Sequence, residues 1–264
     1  MPEPLNLDEQ WYRRLTLGDE IHHNLRRILG FLPSNPRCKM CNAPFRGLGG
    51  VLMRMMGRGQ SRYNPRFCDP CETFDHPGGA EVTISMLFAD VRGSTTLAEK
   101  MTALEFSRLL NRFYSVATDA LVRADAMVDR FVGDEVIGLF IPGMAGPKHA
   151  QRAIQAAQNL LQLTGHEDRE GPWLPVGIGV HTGIAYVGVV GGTGGNLTDF
   201  TALGDNVNIT ARLASVAGQG EILITEAAFD AAGMEPDNLN HRLLELKGKS
   251  EPIGVHVMRL QTTT

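Results

Sequence analysis

Aromatic residues are scarce in this chain, at 6% of 264 residues, with two tryptophans and four tyrosines. No run of 18 or more apolar residues occurs, so the sequence offers no membrane-spanning helix. Neither sign of charge dominates. Twenty-five Lys and Arg stand against 29 Asp and Glu, for a net charge of −4, and no global basic field argues for a nucleic-acid partner. The start, MPEPLNLDEQ, lacks a basic stretch followed by an apolar one, so no secretory leader is expected and the expected compartment is cytoplasmic. Cysteine is rare too. All four fall in two CxxC pairs, Cys38/Cys41 and Cys68/Cys71, which suits metal or redox chemistry better than a disulfide scaffold.

What is present is ordinary globular composition, 43% hydrophobic and 20% charged. The length exceeds one typical domain, so a main domain with a smaller module is expected. Three zones follow. Residues 1–33 read as a helix with Trp11, Leu15, Gly18, His22, Leu25, Leu29 and Leu32 at heptad spacing, widened by Ile21 and Ile28. That seam either packs on its own domain or joins two subunits. Residues 34–78 hold the cysteines. CKMC and CDPC stand 26 residues apart and present four thiolates, the donor set of a tetrahedral structural Zn²⁺ site, with iron, an iron–sulfur centre or a dithiol switch as alternatives. Bound metal would supply much of the folding free energy of so small a segment. Between Arg37 and Arg66 there are seven basic residues and no acidic one. Residues 47–59, GLGGVLMRMMGRG, are read as a solvated loop, a cover for the next domain, or a contact with a partner or an anionic membrane surface.

From Glu81 to Leu260, strand-like and helical runs alternate, which predicts an α/β sandwich of helices against an antiparallel sheet. VTISMLFAD is a buried strand. Thr102 and Glu105 form a capping box that opens a helix with Phe106, Leu109, Leu110, Phe113, Ala117 and Leu121 on one face. VDRFVGDEVIGLF is a hairpin turning at Gly133-Asp134. Gly-rich runs after Leu174 read as several strands with breaks.

Two aspartates stand out by position. Asp90 ends a strand before the turn VRGST, and Asp134 sits at a hairpin tip. Neighbouring strands would bring both carboxylates to one sheet edge, a donor set for Mg²⁺ or Mn²⁺ with a nucleoside triphosphate. The plainer alternative is a helix cap and a turn residue. Asn208 and Arg212 lie four apart and share a helix face. An amide beside a cationic fork suits a ribose–phosphate group; a surface Arg and a helix-start Asn are the plainer reading.

FADVRGSTTLAE, VDRFVGDEVIGLF, GIGVHTGIAYVGVVGG, DFTALGDNVNITARLAS and ELKGKSEPIGVHV, in that order, resemble the class III nucleotidyl cyclase catalytic domain over residues 82–259. The likeness is to the subgroup with threonine in place of the base-reading aspartate. The resemblance implies a ferredoxin-like βαββαβ core at residues 81–260. It implies that Asp90, Asp134 and the Val91 carbonyl hold two Mg²⁺ or Mn²⁺ ions. Asn208 would orient the ribose, and Arg212 would stabilise the charge on the α-phosphate. Lys247 or Lys249 would meet the β- and γ-phosphates, and Thr201 the base. Arg130 stands where the family has a base-reading lysine. The two halves of each site come from different protomers in that family, so a head-to-tail homodimer is implied. ATP is the expected substrate and cyclic AMP the product. A pyrimidine triphosphate, GTP, or a degenerate nucleotide-binding module are the alternatives that Arg130 leaves open. His181 is assigned no role beyond packing.

Overall fold

The computed structural model describes residues 6–18, 20–32, 36–61, 66–72, 78–191, 198–235 and 239–260. Its framework is one sheet of eight strands. β1 (Gly78–Val91) is an interior strand, and its residues are apolar on both faces. Ile84, Met86 and Phe88 fill one cluster, while Leu87, Ala89 and Val91 fill another on the opposite side. α5 (Ser94–Lys100) and α6 (Ala103–Arg123) follow. The capping box forms as expected: the Glu105 N–H donates to Thr102 Oγ1 at 3.3 Å, and the Thr102 N–H donates to Glu105 Oε2 at 2.8 Å. β2 (Met127–Val132) and β3 (Glu135–Phe140) make the hairpin, with Val132 paired to Glu135 across a two-residue turn. Gly133 has φ +61° there, which explains glycine at the first turn position.

α7 (Pro142–Ala145), α8 (His149–Leu163) and β4 (Val176–Gly191) come next, then β5 (Thr198–Leu203), α9 (Asp205–Val216), β6 (Glu221–Thr225), α10 (Glu226–Ala231), β7 (Asn240–Leu244) and β8 (Ile253–Arg259). The sheet order is β2-β3-β1-β4-β6-β8-β7, with β5 added against β4. β1, α6, β2, β3, α8 and β4 form the βαββαβ core, whose four strands are antiparallel to their neighbours. Helices α6 and α8 cover one face through Phe113, Ala117, Leu121, Ile154 and Leu160.

Two expectations change. β4 is a single 16-residue strand rather than several. Its glycines are sites of close approach: a Cβ on Gly179 would lie 2.7 Å from the Ala214 N of α9, and one on Gly188 would lie 2.4 Å from the Gly78 carbonyl. The N-terminal seam is also broken. α1 (Leu7–Leu17) and α2 (Glu20–Gly30) are separate helices. Gly18 between them has φ +71°, and a Cβ there would lie 2.1 Å from the Gly143 carbonyl oxygen. Trp11 stacks on Phe200 at 5.9 Å. Trp11, Leu15 and Leu29 share one buried cluster with Met86, Phe88 and all four cysteines. The seam therefore packs on its own chain, while Ile28 is exposed.

The segment read as a solvated loop is in part a helix, α3 (Gly47–Met55), with Met53 buried and Leu48, Met55 and Met56 exposed. α4 (Asp69–Glu72) carries Cys71. No helix among the described residues is long and apolar enough to cross a membrane.

Candidate active site

The C-terminal end of β1 and the β2–β3 turn place Asp90 beside Asp134. Asp90 is the Cα partner of Glu135 in the ladder, and the Val91 N–H donates to the Asp134 carbonyl at 3.2 Å. Tyr114 of α6 donates its hydroxyl to the Gly133 carbonyl and stacks on Phe131 at 4.5 Å, which holds the turn from behind. Asp90 and Asp134 thus lie together, with Glu135 near enough to feel both charges and Arg92 ion-paired to Asp90. Burial raises the Asp90 pKa against the pull of Arg92, and Asp134 adds to the rise. Burial, followed by Asp90 and Asp134, pushes Glu135 up to about 7. Like charges crowded at one edge favour a proton or a cation among them, and carboxylate oxygens are the donors that Mg²⁺ and Mn²⁺ prefer.

A second cluster forms where β2 meets β5. The ladder between β2 and β3 shifts register between Val128 and Phe131. A bulge re-aims side chains, and here it lets two consecutive residues reach one hydroxyl. Asp129 Oδ2 accepts from Thr201 Oγ1 at 3.0 Å and from Arg130 Nε at 2.8 Å. Arg130 Nη2 donates to Thr201 Oγ1 at 2.7 Å. With its proton given to Asp129, Thr201 keeps one lone pair, so Arg130 and Thr201 together offer donors beside an acceptor. A cavity of about 630 Å³ opens alongside, lined in part by Arg66, Tyr114, Asp129, Arg130 and Phe131. That volume is in the usual range for a ligand pocket.

α9 presents the third group. Asn208 is exposed, and Arg212 is half-buried. The Arg212 guanidinium lies over Gly248 of the KGK turn, 3.4 Å from where a Cβ would stand. Lys249 pairs with Asp205 at the start of α9, while Lys247 is exposed. Among the described residues, no hydrogen bond or ion pair joins Asn208 or Arg212 to Asp90, Asp134, Arg130 or Thr201. His181, buried on β4, shares hydrogen bonds with Thr225 Oγ1 at 2.8 Å and Asn206 Oδ1 at 2.9 Å. That is the packing role expected of it.

The four cysteines converge. Their sulfurs all lie within 4.8 Å of one another and are buried, and Cys41 Sγ is 3.6 Å from Cys68 Sγ. Four sulfurs about 2.3 Å from one tetrahedral ion would stand about 3.8 Å apart. Burial pushes the Cys38 thiol up, whereas bonds from Cys38 and its neighbours pull Cys41 and Cys68 down. The guanidiniums of Arg26 and Arg58 face the cluster and would offset the charge of a metal–thiolate centre. Arg26 is 1% exposed. It donates to the carbonyls of Lys39 (3.0 Å) and Met40 in the first knuckle, and of Asp125 (3.3 Å) and Ala126 (2.9 Å) ahead of β2.

Sequence reasoning placed Asp90 beside Asp134 and the four cysteines together. It missed Glu135, Arg92, Tyr114, Asp129, Asp199, Arg26 and Lys39. The doublet Asp129-Arg130 ahead of a Gly-Asp turn was the signal available for Asp129. Nothing local marked the others.

A family model described as the adenylate and guanylate cyclase catalytic domain matches residues 79–259, more than half of the chain. The chain belongs to this cyclase catalytic-domain family. An adenylate cyclase of Anabaena cylindrica is 31% identical over 186 residues, covering 67% of this chain and 36% of the relative. The terminal-differentiation specific adenylate cyclase of Dictyostelium discoideum is 29% identical over 182 residues, covering 66% of this chain and 8% of the relative. The cyclase domain therefore spans about a third or less of these relatives' length. The adenylyl cyclase CyaB from P. aeruginosa superposes with a TM-score of 0.59 at 27% identity, over 69% of this chain and 97% of that one. The guanylyl cyclase Cya2 gives 0.58 at 28%, over 68% and 92%. Adenylyl and guanylyl cyclases thus both stand among the neighbours of this cyclase domain.

Proposed function

We propose that the protein is a homodimeric nucleotidyl cyclase that converts ATP to 3′,5′-cyclic AMP and pyrophosphate. The observation that carries the reading is the division of the site: carboxylates gather at Asp90 and Asp134, and among the described residues no hydrogen bond or ion pair joins Asn208 or Arg212 to them. A head-to-tail pair would close two equivalent sites. Asp90 and Asp134, with the Val91 carbonyl, would hold two Mg²⁺ or Mn²⁺ ions. When bound, such ions neutralise triphosphate charge and make the ribose 3′-hydroxyl more acidic. Asn208 orients the ribose. The 3′-oxygen bonds to the α-phosphorus, the bond to the bridging oxygen breaks, pyrophosphate leaves, and the hydroxyl proton passes to water. Arg212 stabilises charge on the α-phosphate during this exchange, and Lys247 or Lys249 steadies the leaving phosphates. Arg130 donates to adenine N1, and the free lone pair of Thr201 accepts from the 6-amino group.

Arg130 in place of lysine also favours a second reading, in which a guanidinium fork meets a base carbonyl of GTP or a pyrimidine triphosphate. The cysteine cage would hold Zn²⁺, with iron as the alternative, and stabilise its segment. The deciding test is purified protein with Mg²⁺ or Mn²⁺ and each of ATP, GTP, CTP and UTP, with products identified by mass. Cyclic AMP as the main product is the expected result. No cyclic nucleotide from any of the four would end the cyclase reading.

A further inference from the structure

Lys39 belongs to the first cysteine knuckle, yet its ammonium is spent on the sheet. The side chain is 8% exposed. Nζ donates to Asp199 Oδ1 at 2.9 Å, to Asp129 Oδ1 at 3.3 Å and to the Phe200 carbonyl at 3.3 Å. An ammonium has three protons, and here each has one acceptor. Asp129 is 4% exposed in its side chain, and its other oxygen holds Arg130 Nε and Thr201 Oγ1. Asp199 Oδ2 pairs with Arg66 and lies 3.9 Å from Arg130 Nη2. The Lys39 N–H also donates to the Arg66 carbonyl at 3.0 Å, so the two knuckles present Lys39 and Arg66 together.

We propose that the four-cysteine module is part of the base-reading apparatus, with Lys39 and Asp129 as positioning residues that hold Arg130 and Thr201 in their reading geometry. This rests on the assignment of Arg130 and Thr201 as base contacts. The reason is charge. Asp129 and Asp199 both lie within reach of the Arg130 guanidinium. Lys39 satisfies the oxygens that Arg130 does not use. Without Lys39, Asp129 Oδ1 would lose its cation and Asp199 would keep only Arg66, and the Arg130 fork, within reach of both acids, would be drawn off Thr201 and the base edge. The Thr201 hydroxyl has its sense fixed by the same chain, since Asp129 takes its proton. A structural module thereby sets nucleotide selectivity through one side chain, and the knuckle backbone that carries Lys39 is itself fixed by Cys38 and Cys41.

The test is Lys39→Met in the full chain, assayed with ATP, GTP, CTP and UTP. The KM for the preferred nucleotide should rise about tenfold, and the ratio of kcat/KM between preferred and next-best base should narrow about tenfold, while kcat changes less than about threefold. Lys39→Arg should restore most of the ratio. Asp129→Asn, which weakens the acceptor shared by Arg130 Nε and Thr201 Oγ1, should move the ratio the same way and serves if Lys39→Met does not fold. The proposal is overturned if a folded variant keeps KM and the base ratio within twofold of the parent. It is also overturned if kcat falls equally for every nucleotide, as a loss of active fraction would give. Arg130→Ala and Thr201→Ala run alongside. If they too leave the ratio unmoved, the base-contact assignment has failed; if they move it and Lys39→Met does not, the link to the module alone has failed.

Discussion

The two carboxylate clusters on this sheet differ in their supply of cations. At the end of β1, Asp90, Asp134 and Glu135 share one guanidinium, Arg92. Between β2 and β5, Asp129 and Asp199 are met by Lys39, Arg66 and Arg130. The acids respond in opposite directions. Glu135 is pushed up to about 7. Asp199 is held below the usual carboxylate range, because Lys39 and Arg66 outweigh the effect of burial. A buried acid short of cations costs stability in the empty protein and is retained where a cation arrives with the ligand. A buried acid fully supplied with cations fixes geometry. On the proposed reading the first cluster receives its cations with the ligand, whereas the second already holds its own and acts as a frame.

That contrast breaks most sharply under neutralisation of its members. Asp90→Asn and Asp134→Asn should each lower activity at least about 10³-fold, beyond the loss of a single charge-stabilising donor. They should leave Tm unchanged or raise it, since repulsion is relieved. Calorimetry beside the activity assay checks both halves, and a large fall in Tm would make these aspartates structural. Arg212→Ala should lower kcat about 10²–10³-fold. If the site is shared between protomers, an equal mixture of Asp90→Ala and Arg212→Ala chains should regain about a quarter of parental activity, because half the dimers are mixed and each mixed dimer has one intact site. No recovery after exchange of subunits would place both groups in one chain's site.

Much of this architecture is legible without coordinates. The buried strand ending in Asp90, the Gly133 turn and the Thr102–Glu105 box are local signals that tertiary packing leaves intact. The break at Gly18 was hidden, because heptad spacing runs straight through it and only the opposing Gly143 reveals why the backbone turns. The glycines of β4 looked like breaks because their reason lies in α9 and β1. The sequence named no partners for the basic run from Arg37 to Arg66. In fact Arg37 binds the carbonyls of Leu29, Leu32 and Asn42, and Lys39 and Arg66 bind acids far along the chain. Composition counts such charges but cannot say where they are spent.

The frame can be weakened without touching the chemistry. Arg26→Met deletes a guanidinium bonded to four carbonyls, two in the knuckle and two before β2. Leaving those acceptors unmatched should cost about 2–4 kcal/mol, or roughly 5–10 °C in Tm for a chain of this size. A change within 1 °C would mean that the module is not held to the sheet by this residue.

The smallest effect tests whether cation surplus marks a frame away from the active site. Glu221 starts β6 and accepts from Arg242 (2.8 and 3.3 Å), Arg259 (2.6 Å) and the Gly218 N–H (2.8 Å). Burial pushes its pKa up, but these partners outweigh it and bring it down to about 2, from the ordinary 4.5. Above pH 4.5 the carboxylate is ionised in both folded and unfolded chains, and its full contribution is present. Between about 4.5 and 2 the unfolded chain binds more protons, so stability falls as pH falls. Glu221→Gln should therefore melt below the parent at pH 7, with the gap closing as pH drops from 4.5 toward 2, and kcat unaltered where both are folded. A gap that stays constant with pH would assign the loss to packing rather than charge, and the rule drawn from Asp129 and Asp199 would not extend to this corner of the sheet.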